Sequence, residues 1–118
     1  MAHWIRPSRR MAIYARDAFA CVYCGWKGTL DGAGLTLDHV EPRKRFGDNT
    51  TGNLLTSCLD CNLRKGARCV GEWFADEAVD REARRRMYAR VRRALQRPIP
   101  MLLGALLAEE RAREPEAA

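Results

Sequence analysis

The sequence predicts a small α+β domain with a metal-stapled centre. Three observations lead there. Two Cys-x-x-C pairs, Cys21/Cys24 and Cys58/Cys61, stand 33 residues apart (positions 25 to 57). Between them lie glycine punctuation and short strand-like alternation rather than helical periodicity. On either side the apolar residues recur at helical spacing. With 118 residues, one domain is the expectation, and a core of that size commonly needs a staple.

The elements follow in order. Ser8 to Phe19 reads as a helix, with Ser8 as N-cap after Pro7 and Met11, Tyr14, Ala15 and Ala18 on one face. Past Cys21 the chain is broken by Gly25, Gly28, Gly32 and Gly34, with Asp31-Gly32 as a turn signal. Leu35-Thr36-Leu37 alternates as a strand, and Pro42 stops it soon after His39. Arg43 to Gly52 is a polar loop, Asn53 to Thr56 a second short strand, and Leu59 to Ala67 a short helix with Asp60 near its N-terminus.

Glu72 to Arg97 reads as one long helix with an apolar stripe of Val79, Ala83, Met87, Val91 and Leu95. Its acids precede its arginines, which suits the helix dipole, and Glu77/Arg81, Asp80/Arg84 and Glu82/Arg86 are i, i+4 pairs. Pro98 and Pro100 end it; a short apolar helix from Met101 and a frayed acidic tail from Glu109 follow. Residues 1–70 are thus expected to hold the N-terminal helix and the stapled core, and residues 71–118 a helical extension of the same domain.

Two residues between cysteines let both sulfurs face one ion, and two such knuckles complete the closed thiolate tetrahedron that structural Zn²⁺ prefers. No secretory signal precedes the cysteines, and no apolar run approaches the roughly 18–20 residues that span a bilayer, so an intracellular, cytoplasmic protein of bacterial or phage type is the expectation. Disulfides suit that setting poorly. Cys69 is left as a spare thiol. The net charge of +6 comes from 18 Arg and 3 Lys against 15 acids. Because the arginine excess runs along the whole chain, a pattern a GC-rich genome also produces, the charge makes a polyanionic partner plausible without identifying one.

Inside the insert stand Asp38-His39 at the strand end, Asn53-Leu54, and Cys61-Asn62-Leu63-Arg64-Lys65. Together with Arg16-Asp17 and Pro42, in this order and spacing, the chain resembles the HNH endonuclease family in its four-cysteine zinc version, from about Arg16 to Arg68. The resemblance implies a ββα-metal (His-Me finger) core: two antiparallel strands and a helix around a catalytic divalent ion, with the structural zinc as a separate site. It implies one-metal hydrolysis of DNA to 5′-phosphate and 3′-hydroxyl ends. His39 would be the general base, Asp38 and Asn62 would hold Mg²⁺ or Mn²⁺, and Asn53 would brace the loop. Asn62 stands where the family often has His.

The chemistry is consistent with those roles. A neutral imidazole accepts a proton from water near pH 7. A carboxylate and an amide oxygen suit a hard cation and leave room for water and phosphate. Arg43, Lys44, Arg45, Arg64, Lys65 and Arg68 are candidates for DNA phosphate contact. The arginines of the second half of the long helix could lie along a duplex or form a solvated face. Trp26, Trp73 and Phe74 are assigned to the core. The alternatives are a zinc-stabilised DNA-binding module or accessory subunit without cleavage, and a protein-interaction module or homodimer joined through the C-terminal helices at Met101 to Leu107.

Overall fold

The computed structural model describes residues 5–42, 47 and 49–100. The loop arginines and lysine at 43–45, His3, the apolar helix expected from Met101 and the tail expected from Glu109 lie outside the described residues.

Helix α1 spans Pro7–Arg16. It begins one residue before the expected N-cap: Arg6 is the cap and Pro7 occupies the first turn, where its fixed φ suits a helix and its missing N–H costs nothing. Strand β1, Leu35–His39, pairs antiparallel with β2, Leu54–Cys58, so that Asp38 faces Leu55 and His39 faces Leu54. β2 starts one residue later than expected and runs to the second cysteine pair, because Thr51–Asn53 forms a 3-10 turn. Helix α2, Leu59–Lys65, follows β2 without a loop and stops at Gly66, whose φ of +59° puts it in the region that favours glycine.

The long C-terminal helix is in fact two. Helix α3 covers Val70–Asp76 and helix α4 covers Arg81–Gln96. Ala78 takes a φ of +51° between them, the Asp80 side chain caps α4 by accepting from the Ala83 amide at 2.9 Å, and Glu77 turns back to accept from the Trp73 indole at 2.7 Å. Glu77 pairs with Arg64 rather than Arg81, and the Asp80 carboxylate caps rather than reaching Arg84. Four of the five residues of the expected stripe do pack: Val91 is buried, with Val79, Met87 and Leu95 against the same cluster.

Two apolar clusters result. Met11, Ile13 and Tyr14 of α1 pack with Leu35, Leu37 and Leu54. Cys21, Tyr23, Leu55, Cys58, Cys61, Val70, Trp73, Phe74, Val91 and Ala94 form the other. Trp73 and Phe74 are core as expected, but Trp26 is 49% exposed and lies over Gly34, where any Cβ would meet its ring at 2.6 Å. The turn at Gly34 thus brings the indole to the surface instead of inward. Among the described residues no helix is long and apolar enough to cross a membrane.

The end of α1 is locked by charge. Arg16 donates to both oxygens of Asp17 (2.8 and 3.0 Å) and to the carbonyls of Thr51 (2.9 Å) and Leu54 (2.7 Å), while Asp17 accepts from the Thr56 amide at 2.9 Å. Both side chains are at most 1% exposed. Asp17→Ala would leave a buried guanidinium uncompensated and should cost about 3–5 kcal/mol in urea unfolding. A loss under about 1 kcal/mol would mean that packing alone docks α1 onto β2.

Candidate functional site

The four paired cysteines converge. Their sulfurs all lie within 4.8 Å of one another. A zinc–sulfur bond of about 2.3 Å sets a tetrahedral sulfur–sulfur edge of about 3.8 Å; the Cys24 and Cys58 sulfurs stand 3.8 Å apart. The knuckles are built for thiolate. Backbone amides of Cys24 and Trp26 approach the sulfurs of Cys21 and Cys24 at 3.5 Å, and the Cys61 amide approaches Cys58 at 3.4 Å. Cys21 shows the balance: burial raises its thiol, but the backbone hydrogen bonds more than offset it and the net shift is downward. Burial and the neighbouring sulfurs push Cys61 far up. Clustered sulfurs of this kind are stabilised as thiolates by a divalent cation at their centre. The donor set fits structural Zn²⁺. Cys69 stays outside the cluster, at the start of α3.

A second group of residues forms a cleft of about 280 Å³ lined by Leu37, Asp38, His39, Pro42, Asn62, Lys65, Gly66 and Ala67. Adjacent strand residues normally point to opposite faces. Asp38 and His39 both reach this cleft because β1 ends at His39. The ring of His39 meets Asn49, Nε2 to Oδ1 at 2.7 Å. An amide oxygen only accepts, so this contact suits an imidazole protonated at Nε2. Asn53 clasps the turn after β1: its Oδ1 accepts from the Glu41 amide at 2.8 Å, its Nδ2 donates to the Glu41 carbonyl at 3.1 Å, and its carbonyl accepts from Val40 at 2.9 Å.

Across the cleft, Asn62 donates through Nδ2 to Thr36 Oγ1 at 2.8 Å and to the Leu37 carbonyl at 3.2 Å. Both amide hydrogens are therefore engaged, and Oδ1 is the atom left to ligate a cation. Asp38 is 4% exposed. Its carboxylate accepts from the Tyr23 hydroxyl and, at 3.2 Å, from Lys65 Nζ, which also donates to the His39 carbonyl at 2.9 Å. Burial raises the Asp38 carboxyl, and Lys65 and Tyr23 pull it part of the way back. Burial, reinforced by the Asp38 charge, holds the Tyr23 phenol well above its usual range, so it remains a donor.

Residues 21–68 match the family model described as HNH endonuclease. That match covers the cysteine-stapled part of the chain, 48 of its 118 residues. No curated protein matches the chain. The HNH segment runs from the first zinc knuckle to just past α2, so it contains every cysteine of the cluster and the cleft residues Asp38, His39, Asn62 and Lys65. The α+β architecture, with its antiparallel hairpin running into α2 beside a four-cysteine cluster, is the ββα-metal core expected. The match supports a nuclease-type function and DNA engagement in general terms.

The expected DNA contacts on α2 are differently placed. Lys65 is 1% exposed and holds Asp38 from inside rather than meeting solvent. Arg64 pairs with Glu77 at 2.6 Å, and Arg68 with Asp76 at 2.9 Å. Two residues of the HNH site were not legible in the sequence. Asn49 lies in a polar loop with no pattern to mark it. Tyr23, between the first two cysteines, carries no signal in the sequence beyond standing one residue before a paired cysteine.

Proposed function

We propose that this HNH protein hydrolyses DNA phosphodiester bonds with a single divalent ion held by Asp38 and Asn62 and with His39 as general base. The observation that carries the reading is the meeting of Asp38, His39 and Asn62 on one cleft within the HNH segment. A carboxylate oxygen and an amide oxygen are hard donors suited to Mg²⁺ or Mn²⁺. When bound, the ion supplies Lewis-acid stabilisation of the phosphate and of the departing 3′-oxygen.

The chain's own residues do the rest. Asn49 keeps the imidazole proton on Nε2, so Nδ1 takes the proton from the attacking water. Asn53 holds the Val40–Glu41 turn and with it the end of β1 that carries His39. Lys65 supplies positive charge beside the buried carboxylate. Tyr23 ties the zinc knuckle to Asp38, so the structural staple and the catalytic ligand share a hydrogen bond. Supercoiled plasmid incubated with Mg²⁺ or Mn²⁺, beside the His39→Ala variant, tests the reading: metal-dependent nicking by the wild type alone supports it.

One observation favours a second reading, a zinc-stabilised DNA-binding module that does not cut. Lys65 already neutralises Asp38, so the carboxylate does not need a metal for charge balance. Plasmid binding without nicking in any divalent metal would favour that module.

Tyr23→Phe separates ligand positioning from packing. The ring stays in its edge contact with Trp73, and only the hydroxyl is lost. The metal concentration for half-maximal nicking should rise by roughly tenfold or more, with little change in rate at saturating metal, as for other groups that hold a metal ligand in place. An unchanged metal requirement would reduce Tyr23 to a packing residue.

A further inference from the structure

The arginines that the sequence placed nearest the cleft are engaged inside the protein, whereas a face of α4 is not. Arg81, Arg84, Arg85 and Arg92 line one open hollow together with Tyr88 and Ala89. Among the described residues none of these four arginines forms an ion pair, and Arg84 Nε is buried without a hydrogen-bond partner. Arg81, Arg85, Tyr88 and Arg92 follow one another at spacings of four, three and four, so they form a single stripe about 16 Å long. Of the acids near the start of this helix, Asp80 is occupied as the cap.

The stripe is packed against α3. The Tyr88 ring packs edge-on against Phe74 at 5.4 Å, and its hydroxyl would lie 2.9 Å from a Cβ placed on Gly71. The opposite edge of α4 is different: Arg90 donates to the Tyr23 carbonyl at 2.7 Å and belongs to the zinc knuckle. The two flanks of one arginine-rich helix therefore have different duties.

We propose that the Arg81–Arg85–Arg92 stripe is a second DNA contact, binding the phosphate backbone of the duplex beside the segment in the cleft. This rests on the DNA reading above and assigns it a surface outside the HNH segment. A row of exposed guanidinium groups carrying no acid partners among the described residues is complementary to the regular charge of a duplex strand, and phosphate contacts of this kind fix register without reading sequence. Tyr88 offers a polar tip in the middle of the row.

The test is the salt dependence of binding. The full zinc-loaded chain is titrated with a fluorescent 30-base-pair duplex, without added Mg²⁺ or Mn²⁺, over a range of salt concentrations. Replacing all three arginines (R81Q, R85Q and R92Q) should reduce the magnitude of the slope of log K against log salt by about 2.7, since each lost phosphate contact contributes about 0.9. The matching lysine triple, R81K, R85K and R92K, should restore the slope, which a loss of folding or packing would not do. An unchanged slope in the glutamine triple overturns the proposal and leaves the stripe to an acidic protein segment, including the acids at 109–116 of this chain. Plasmid nicking by the same proteins keeps the two readings apart. Nicking with an unchanged slope overturns the stripe and leaves the hydrolase standing. A reduced slope with no nicking by the wild type supports the stripe and overturns the hydrolase.

Discussion

His39→Ala should lower plasmid nicking about a thousandfold, within the roughly 10²–10⁴ range for loss of a general base, while duplex binding stays within about twofold. The expectation follows from where the ring sits. His39 closes β1 at the edge of the cleft, its Nε2 meets Asn49 Oδ1, and in the proposed mechanism the side chain serves proton transfer rather than packing. His39 is only partly buried, and alanine should leave the hairpin and both apolar clusters intact. Binding and zinc content are therefore the controls. Wild-type nicking by this variant would place the base elsewhere and remove the mechanism proposed for the cleft.

Cys58→Ser should abolish cooperative thermal unfolding and zinc retention together. Cys58 ends β2, caps α2 through its sulfur, pairs across the sheet with Leu35 and belongs to the larger apolar cluster. Structural zinc in small domains contributes about 10–16 kcal/mol at neutral pH, comparable to or larger than the roughly 5–15 kcal/mol net stability of a whole domain. Loss of one thiolate should therefore be decisive. Cys69→Ser is the matched control: that sulfur lies outside the cluster, so zinc stoichiometry should remain at one per chain. An unchanged melting temperature and zinc content in the Cys58 variant would sink the structural-zinc assignment.

The features legible in the sequence are those that depend on spacing along the chain. Two cysteines separated by two residues face one ion whatever surrounds them, and the four converge as expected. The alternation from Leu35 to Leu37 and the stop near Pro42 mark β1, whose end brings Asp38 and His39 to the same cleft. The single helix expected over 72–97 illustrates the opposite case. Its periodicity is nearly continuous, and nothing like Gly or Pro interrupts it, yet Ala78 takes a left-handed turn. The break joins one group from outside the segment to local ones: Arg64 and Trp73 hold Glu77, while Asp80 starts a new helix. Asp80 followed by Arg-Glu-Ala is a helix-start signal, but one that a continuous apolar stripe hides.

The charged residues divide in the same way. Composition establishes that the chain is basic, and it cannot say which cations face solvent. Lys65, one helical turn beyond Cys61, reads as a phosphate contact but is buried against Asp38, because α2 packs that face onto β1. Trp26 reads as core and is exposed, because the turn at Gly34 draws it out over the zinc knuckle.

By itself, then, the sequence determined the four-cysteine cluster and the ββα order, since each depends on local spacing and residue type. Only the tertiary structure decided the meeting of His39 with Asn49, the tie between Tyr23 and Asp38, the partners of Lys65 and the division of α4 into an engaged and an open flank. Those outcomes depend on which distant groups are brought together, on the free-energy cost of leaving a buried polar atom without a partner, and on which cations find a carboxylate within reach.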